Sequence, residues 1–501
     1  MTFIRRLPKG KNIYVYRVTN HRIKGTKEVK QDSVYLGKEI TVDGKTVIQE
    51  PRKRIMVRKI IESAPYIMYR HAEDFGIVDD FIPAISGFTN MREAARRIVE
   101  LAAMDMFGST GSIEMHTGIR DGTVKENRDL VDFIGSENPH IAAVLQRSIS
   151  KRIVKEYGSS GIVYDLSAIR YYGKNNDLAE YGHYYHSNGE NREINFVMAV
   201  TRDSGIPVHH RIMPGNIVSV SSISNLVMEL KDFGIHSVMI VMDRGFYSES
   251  NMKELADHSI IVSVPGTLSV YTELLKKSSG IENSRNYMQY GEETVFHKSF
   301  MINRMRYIVY YSAKRKAERI ESFYSKLSEA ENTLNNMSAM KYSSRNDMIR
   351  SVTASVKGMG RYISLKFSGS SFTYSLKHKT IQSHTSRMGF FVLLTNTMIS
   401  EEDMLKIYRR KDVVEKAFMR SKSVMEPLYA HTEGGTRARV FLSILGYAVM
   451  AMIAYWCGLT YSKAQETMKG IREVVYTNNS RSTVELTKDQ KMMLEKLSIE
   501  L

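Results

Sequence analysis

Tyr408, Lys411, Glu415 and Lys422 stand in the spacing Tyr-x2-Lys-x3-Glu-x6-Lys. On one α-helix, at about 100° per residue, the last three fall at roughly −60°, −20° and −40° from Tyr408. The spacing therefore predicts a single helix that presents all four from one narrow face. A carboxylate flanked by two cations and a phenol suits a divalent metal beside phosphate oxygens. The carboxylate would hold the metal and the cations would hold the phosphate. Solvated helix faces carry similar charge patterns, so the segment gains meaning only from what accompanies it.

Two strand-like segments upstream each deliver an aspartate. One is Gly161-Ile-Val-Tyr-Asp165-Leu-Ser167, the other Ser237-Val-Met-Ile-Val-Met-Asp243-Arg244-Gly245-Phe246. Val238 to Met242 is a continuous apolar run, as expected of a strand buried on both faces. Open α/β sheets place their chemistry at the C-terminal ends of such strands. Turn initiation or helix capping is the plainer use of a strand-end aspartate. Two strand-end Asp and one helical Glu are, however, the three carboxylates that a two-Mg²⁺ phosphoryl-transfer site needs.

With these residues in place the chain resembles the DDE-type transposases of bacterial and archaeal insertion sequences, in the branch with a Tyr-x2-Arg-x3-Glu-x6-Lys signature. Asp165-Leu-Ser is similar to that family's first-aspartate strand, and Asp243-Arg-Gly-Phe-Tyr-Ser to its second-aspartate block. Asp203-Ser-Gly-Ile-Pro207, Pro214-Gly-Asn216 and Gly389-Phe-Phe-Val-Leu-Leu-Thr-Asn396 resemble further family segments, in the family's order from about Gly161 to Leu459. Two positions depart from the pattern. Lys411 stands where the family has Arg, which keeps the charge and loses the bidentate fork. Ser219 stands where relatives often carry Asp.

The resemblance implies an enzyme that cuts DNA at insertion-sequence ends and transfers the strands into target DNA, by Mg²⁺-dependent phosphoryl transfer with Mn²⁺ as a substitute. Asp165, Asp243 and Glu415 are the expected catalytic residues and metal ligands. Tyr408, Lys411, Lys422 and Arg244 are the expected phosphate contacts, with pairing to a carboxylate an equal use for Arg244. The partners implied are transposon-end and target DNA and a second copy of the chain in a synaptic homodimer. Two other functions fit the same residues: a metal-dependent nuclease without strand transfer, and a catalytically decayed DNA-binding remnant.

Composition agrees. The 501 residues carry 71 Lys and Arg against 54 Asp and Glu, a net charge of +17 that favours a polyanionic partner. A single cysteine, Cys457, excludes an intramolecular disulfide and a cysteine-rich zinc site, and fits a reducing cytosol. A cytoplasmic, nucleoid-associated setting is expected. Met1 to Lys11 is basic but no apolar core follows, which argues against a secretory leader. The uncharged run Val440 to Leu459 is long enough to span a bilayer, and is expected to be a buried core helix instead. No phosphate-binding Gly-x4-Gly-Lys-Ser/Thr loop and no Gly-x-Ser-x-Gly elbow is present. His209-His210 and His183-x2-His186 lack a third ligand nearby and read as exposed turn histidines.

The fold class expected is α/β: a ribonuclease-H-like mixed sheet with flanking helices, interrupted by a β-rich insertion subdomain and preceded by a small β unit and a helical region. The expected divisions are an antiparallel β unit over 1–57 and a helical, DNA-binding region over 58–158. A catalytic domain over 159–265 and 386–462 follows, split by an insertion over 266–385, with a helical tail over 463–501. Asn90-x-x-Glu93 and Asn138-Pro139 mark helix starts in the second part, and Gly158 a helix end. The second of those helices would oppose Ile141, Leu145, Ile149 and Ile153 to a basic stripe of Arg147, Lys151 and Lys155, with Arg152 nearby. In the insertion, Ile320, Phe323, Leu327, Ala330 and Leu334 recur at helical spacing, which suits core packing or one partner helix. Thr487-x-x-Gln490 would cap a last helix.

Overall fold

The computed structural model describes residues 2–22, 29–51, 55–85, 87–108, 111–118, 122–136, 140–157, 161–173, 175–181, 192–216, 223–233, 239–356, 358–426, 428, 430 and 432–501. The expected helix start at Asn138-Pro139, the helix end at Gly158, the His183/His186 pair and Ser219 lie outside these residues. The chain forms two compact units, Met1–Glu62 with Ile471–Leu486, and Ser63–Gly470 with Thr487–Leu501.

The first unit begins as a four-stranded antiparallel meander in sequence order: β1 (Thr2–Lys9), β2 (Asn12–Arg22), β3 (Val29–Val42) and β4 (Lys45–Gln49). A further strand follows, β5 (Val57–Glu62), where the helical region was expected to begin.

Among the described residues the second unit opens with the α-helices α1 (Ala64–Asp74), α2 (Ile77–Phe81), α3 (Met91–Phe107), α4 (Gly111–Thr117), α5 (Val124–Ile134) and α6 (Ile141–Tyr157). Asn90 caps α3 as its spacing predicts, accepting from the Glu93 N–H. Ile141, Leu145, Ile149 and Ile153 are the buried face of α6. On the opposite face Arg147, Lys151 and Lys155 are exposed, while Arg152 pairs with Asp80 at 2.5 Å.

The central sheet then assembles from β6 (Ile162–Arg170), β7 (Glu180–Tyr181), β8 (Arg192–Thr201) and β9 (Pro207–Pro214), followed by α7 (Ile223–Asp232), β10 (Met239–Met242), α8 (Glu249–Glu254) and β11 (Ser259–Ser263). β10 is short and its interior is apolar and fully buried, which suits a strand covered on both faces. Strands β6, β10 and β11 run parallel, and β8 and β9 extend the sheet antiparallel beyond β6.

The insertion splits into two parts of different character. After α9 (Ser269–Lys277), strands β12 (Tyr287–Tyr290), β13 (Glu293–Ile302) and β14 (Met305–Tyr311) join the central sheet itself, which has ten strands among the described residues. The remainder is more helical than expected: α10 (Ala313–Ser338), α11 (Arg345–Ser355), the hairpin β15 (Ile363–Ser368) and β16 (Ser371–Leu376), and α12 (His378–Thr385). Phe323, Leu327, Ala330 and Leu334 of α10 pack there with Met348, Val352 and Phe372, so that seam serves a core within the insertion.

β17 (Phe390–Thr395) re-enters the central sheet between β11 and β14, antiparallel to both. It leads to α13 (Glu401–Arg409), α14 (Asp412–Met425), α15 (Glu433–Cys457) and α16 (Tyr461–Lys469). α15 is the one described helix long and apolar enough to cross a membrane, and every residue from Val440 to Ala454 is buried inside this unit. Burial of each large apolar side chain contributes about 1.5–3 kcal/mol, which accounts for its place as core.

The expected helical tail is interrupted by two strands, β18 (Arg472–Tyr476) and β19 (Arg481–Thr483). They form a three-stranded sheet with β5 in the first unit. α17 (Lys488–Leu497) ends the chain behind a capping box of Thr487 and Gln490, as expected.

Candidate active site

Asp165 lies within β6, and Asp243 follows the last residue of β10. The two strands are adjacent and parallel, with Ile162 opposite Ile240 and Val163 opposite Val241. Continuing that register sets Asp243 level with Asp165. Gly161 permits the approach at the base of the pair: its φ is +113°, and a Cβ there would lie 2.9 Å from the Met239 carbonyl oxygen. Asp243 turns the chain by accepting from the Arg244 N–H at 2.8 Å, which caps a single 3₁₀ turn. The buried Phe246 ring anchors that turn edge-on against Tyr164, 5.2 Å between centroids. The Arg244 side chain is left exposed.

The glutamate segment departs from the single helix its spacing predicts. α13 ends at Arg409 and α14 begins at Asp412. Between them the N–H of Lys411 bonds Tyr408 O, that of Val413 bonds Arg410 O and that of Val414 bonds Lys411 O, all at 3.1 Å. These are i→i+3 bonds, so the helix tightens there and the phase between Tyr408 and Glu415 shifts. Three neighbouring side chains reach separate partners across this junction. Arg409 pairs with Glu293 at 2.8 Å and covers the Tyr290 ring, Arg410 lies 3.3 Å from Asp203, and Lys411 turns to the aspartates.

The structure nevertheless gathers the expected residues. The Tyr408 hydroxyl donates to Asp243 Oδ1 at 3.1 Å. The Lys411 ammonium donates to Glu415 Oε1 at 3.0 Å and lies 3.3 Å from Asp243 Oδ2. Lys422, two turns beyond Glu415, donates to the Ala168 carbonyl three residues along β6 from Asp165. It thereby fastens α14 to the strand that carries the first aspartate.

Charge and burial set the protonation of the cluster. Burial pushes the Asp165 carboxyl up to about 6, and Asp243 and Glu415 push the same way against Lys411 and the Leu166 N–H. Burial would also raise Asp243. The Lys411 charge, the Arg244 N–H and the Tyr408 hydroxyl outweigh it and hold Asp243 below the usual carboxylate range. Burial opposes the Lys411 charge, but Asp243, Tyr408, Glu415 and Asp165 together raise its pKa well above the ordinary lysine value. Burial raises the Tyr408 phenol, with Asp243 adding to it, so the hydroxyl stays a donor.

Among the described residues no three His, Cys, Asp or Glu side chains come close enough together to hold one ion as they stand. The chemistry of the donor set still suits a hard divalent cation, since all three groups are carboxylates and a cationic group already lies among them.

Other residues position the site without a signal strong enough to mark them in sequence. Gly205, in the turn between β8 and β9, has φ +69°, and a Cβ there would lie 2.8 Å from Val413 Cγ2 on α14. Its carbonyl accepts from the Tyr447 hydroxyl of α15 at 3.1 Å, so the turn, the glutamate helix and the core helix meet at one glycine. Asn396 closes the sheet beside the site, accepting from the Ile260 N–H and donating to the His258 carbonyl. His209 and His210 are not exposed turn residues. They lie on β9, His209 buried with its Nε2 2.9 Å from Glu229 Oε2. Burial, with His209 adding to it, lowers the partly buried His210 to about 3, so its ring is neutral.

Residues 156–452, more than half of the chain, match the family described as Transposase DDE domain. No curated protein matches the chain. A solved structure of the piggyBac transposase synaptic complex with hairpin DNA is similar at a TM-score of 0.38 and 11% identity, over 86% of this chain and 79% of that one.

Proposed function

The chain belongs to the DDE transposase family, and on that premise we propose that it cuts DNA at insertion-sequence ends and joins them to target DNA. The observation that carries this reading is the gathering of Asp165, Asp243 and Glu415 around the Lys411 ammonium, within β6, at the end of β10 and at the start of α14. The strand order β9-β8-β6-β10-β11, antiparallel across the first three and parallel across the last three, supports a ribonuclease-H-like core.

Asp165, Asp243 and Glu415 would hold two Mg²⁺, or Mn²⁺, which when bound activate water or a 3′-hydroxyl and stabilise the leaving 3′-oxygen. The chain's own groups prepare that step. Tyr408 fixes the Asp243 carboxylate through its hydroxyl. Lys411, a point charge on a flexible stem, can turn from the carboxylates to a non-bridging phosphate oxygen. Arg244, which is exposed, would meet the DNA backbone beside Asp243. Lys422 serves as a positioning residue through β6. Two copies would hold the two ends together, in the cytoplasm at the nucleoid.

The test is incubation of the protein with a plasmid carrying its gene and flanking DNA, with and without Mg²⁺. Excised element and joined products that need Mg²⁺ support the reading. Cuts without joining would reduce it to a nuclease, and binding without cuts to a remnant.

A further inference from the structure

The sheet of β1 to β4 has two chemically different faces. Its register pairs Phe3 with Val18, Arg5 with Tyr16 and Leu7 with Tyr14, which sets these residues on one side. A bulge between Val15 and Tyr16 brings Tyr35 opposite Tyr16 and Lys38 opposite Tyr14, and so onto the same side. Side-chain contacts agree. The Tyr35 ring lies 5.1 Å from Tyr16 and 5.9 Å from Tyr14, and the Arg5 guanidinium stands 5.6 Å over Phe3. Lys9, opposite Asn12, completes the cations at one end. Phe3 and Leu7 are 37% and 46% exposed on this face. The only carboxylates within these strands, Asp32 and Glu39, both lie on the other face, where Glu39 meets Arg6 at 2.6 Å and Asp32 meets His21 at 3.4 Å.

We infer that the aromatic face of this sheet binds unpaired DNA, its rings stacking bases and Arg5, Lys9 and Lys38 taking the phosphates. A duplex keeps its bases stacked on one another and offers phosphates to its partner, so a duplex-only surface would use the cations and leave the rings idle. Rings and cations interleaved on one carboxylate-free face match a single strand, which presents both bases and phosphates. The inference rests on the proposed DNA function for its partner class alone. The surface belongs to the first unit and the carboxylate cluster to the second.

The test uses the full-length protein, a fluorescein-labelled oligothymidylate and a hairpin duplex of matched length, read by anisotropy at one salt concentration. The double variant Tyr16→Leu/Tyr35→Leu keeps apolar bulk and removes the stacking faces. It should weaken oligothymidylate binding about tenfold or more and leave duplex binding within about twofold. Arg5→Gln/Lys38→Gln should weaken oligothymidylate binding more than Arg17→Gln/Lys30→Gln, which removes equal charge from the other face. No loss on the single strand, an equal loss on both probes, or equal effects from the two faces would overturn the inference. Plasmid cleavage separates the two readings. A wild-type protein that cuts but ignores the oligothymidylate defeats this surface alone, and one that binds neither probe and does not cut defeats the DNA function as well.

Discussion

The Lys411 ammonium lies 3.3 Å from Asp243 Oδ2, a contact that ties the start of the glutamate helix to the end of the second-aspartate strand. The same ammonium donates to Glu415 at 3.0 Å and draws on Asp165 by its charge. A resident cation among three carboxylates makes the charge balance of this cluster depend on one side chain.

Lys411→Met is therefore predicted to leave the carboxylates without their neutralising charge and to lower stability in EDTA. Millimolar Mg²⁺ should recover more stability in the variant than in the wild type, because a ligand that binds only the folded state stabilises it. Thermal melts with EDTA and with Mg²⁺ measure this, and an equal Mg²⁺ shift in both proteins would count against it.

Asp165 gives a pH signature. Its folded pKa of about 6 lies above the ordinary aspartate value of 3.8, so folding disfavours the charged form. No penalty exists below about pH 4, where the carboxyl is protonated in both states. The penalty grows as pH rises between the two values and is complete above the folded one. Asp165→Asn removes it, and should stabilise the protein by about 1–3 kcal/mol at neutral pH and by little at pH 4. Unfolding midpoints of the two proteins across that range, in EDTA, check the sign; a difference independent of pH would refute the account of burial.

Tyr408→Phe removes the donor that holds Asp243 Oδ1 and leaves the ring. Loss of a hydrogen bond to a metal-ligand carboxylate costs about 10–100-fold in metal affinity or activity. Cleavage against Mg²⁺ concentration should show a raised metal requirement. An unaltered curve would mean that the hydroxyl does not orient Asp243.

Gly205→Ala places a Cβ 2.8 Å from Val413 Cγ2 at a φ of +69°. Backbone strain of roughly 1–2 kcal/mol and crowding of about 1–3 kcal/mol should both appear. Val413→Ala added to it should relieve only the crowding. Melts of the single and double variants separate the two, and a neutral Gly205→Ala would show that the turn can yield without moving α14.

Much of the site was legible because its parts are local patterns. The apolar run before Asp243 names a buried strand, and Gly161 through Ser167 names its neighbour. The break between Tyr408 and Glu415 was not, since no proline or glycine marks it. It follows from Arg409, Arg410 and Lys411 each finding a partner far away in sequence. The same limit applies to the insertion, where β14 reads as a strand but its pairing with β17 is a tertiary choice. Arg472 to Tyr476 pairs with Val57 to Glu62 from the opposite end of the chain, and strands this short give no sign of such a partner. Lys422 fits a phosphate contact by spacing, and only the fold shows its ammonium on the Ala168 carbonyl.

The central claim is that Asp165, Asp243 and Glu415 act as one metal-binding catalytic set. Mg²⁺-dependent cleavage of the plasmid that carries the gene and its flanks, by Asp165→Ala, Asp243→Ala and Glu415→Ala separately, tests it most directly. Each substitution should reduce cleavage by at least about 10³-fold, as expected when residues act as a unit, while DNA binding stays near wild type. Substantial cleavage by any one of the three would remove that residue from the site and contradict the account.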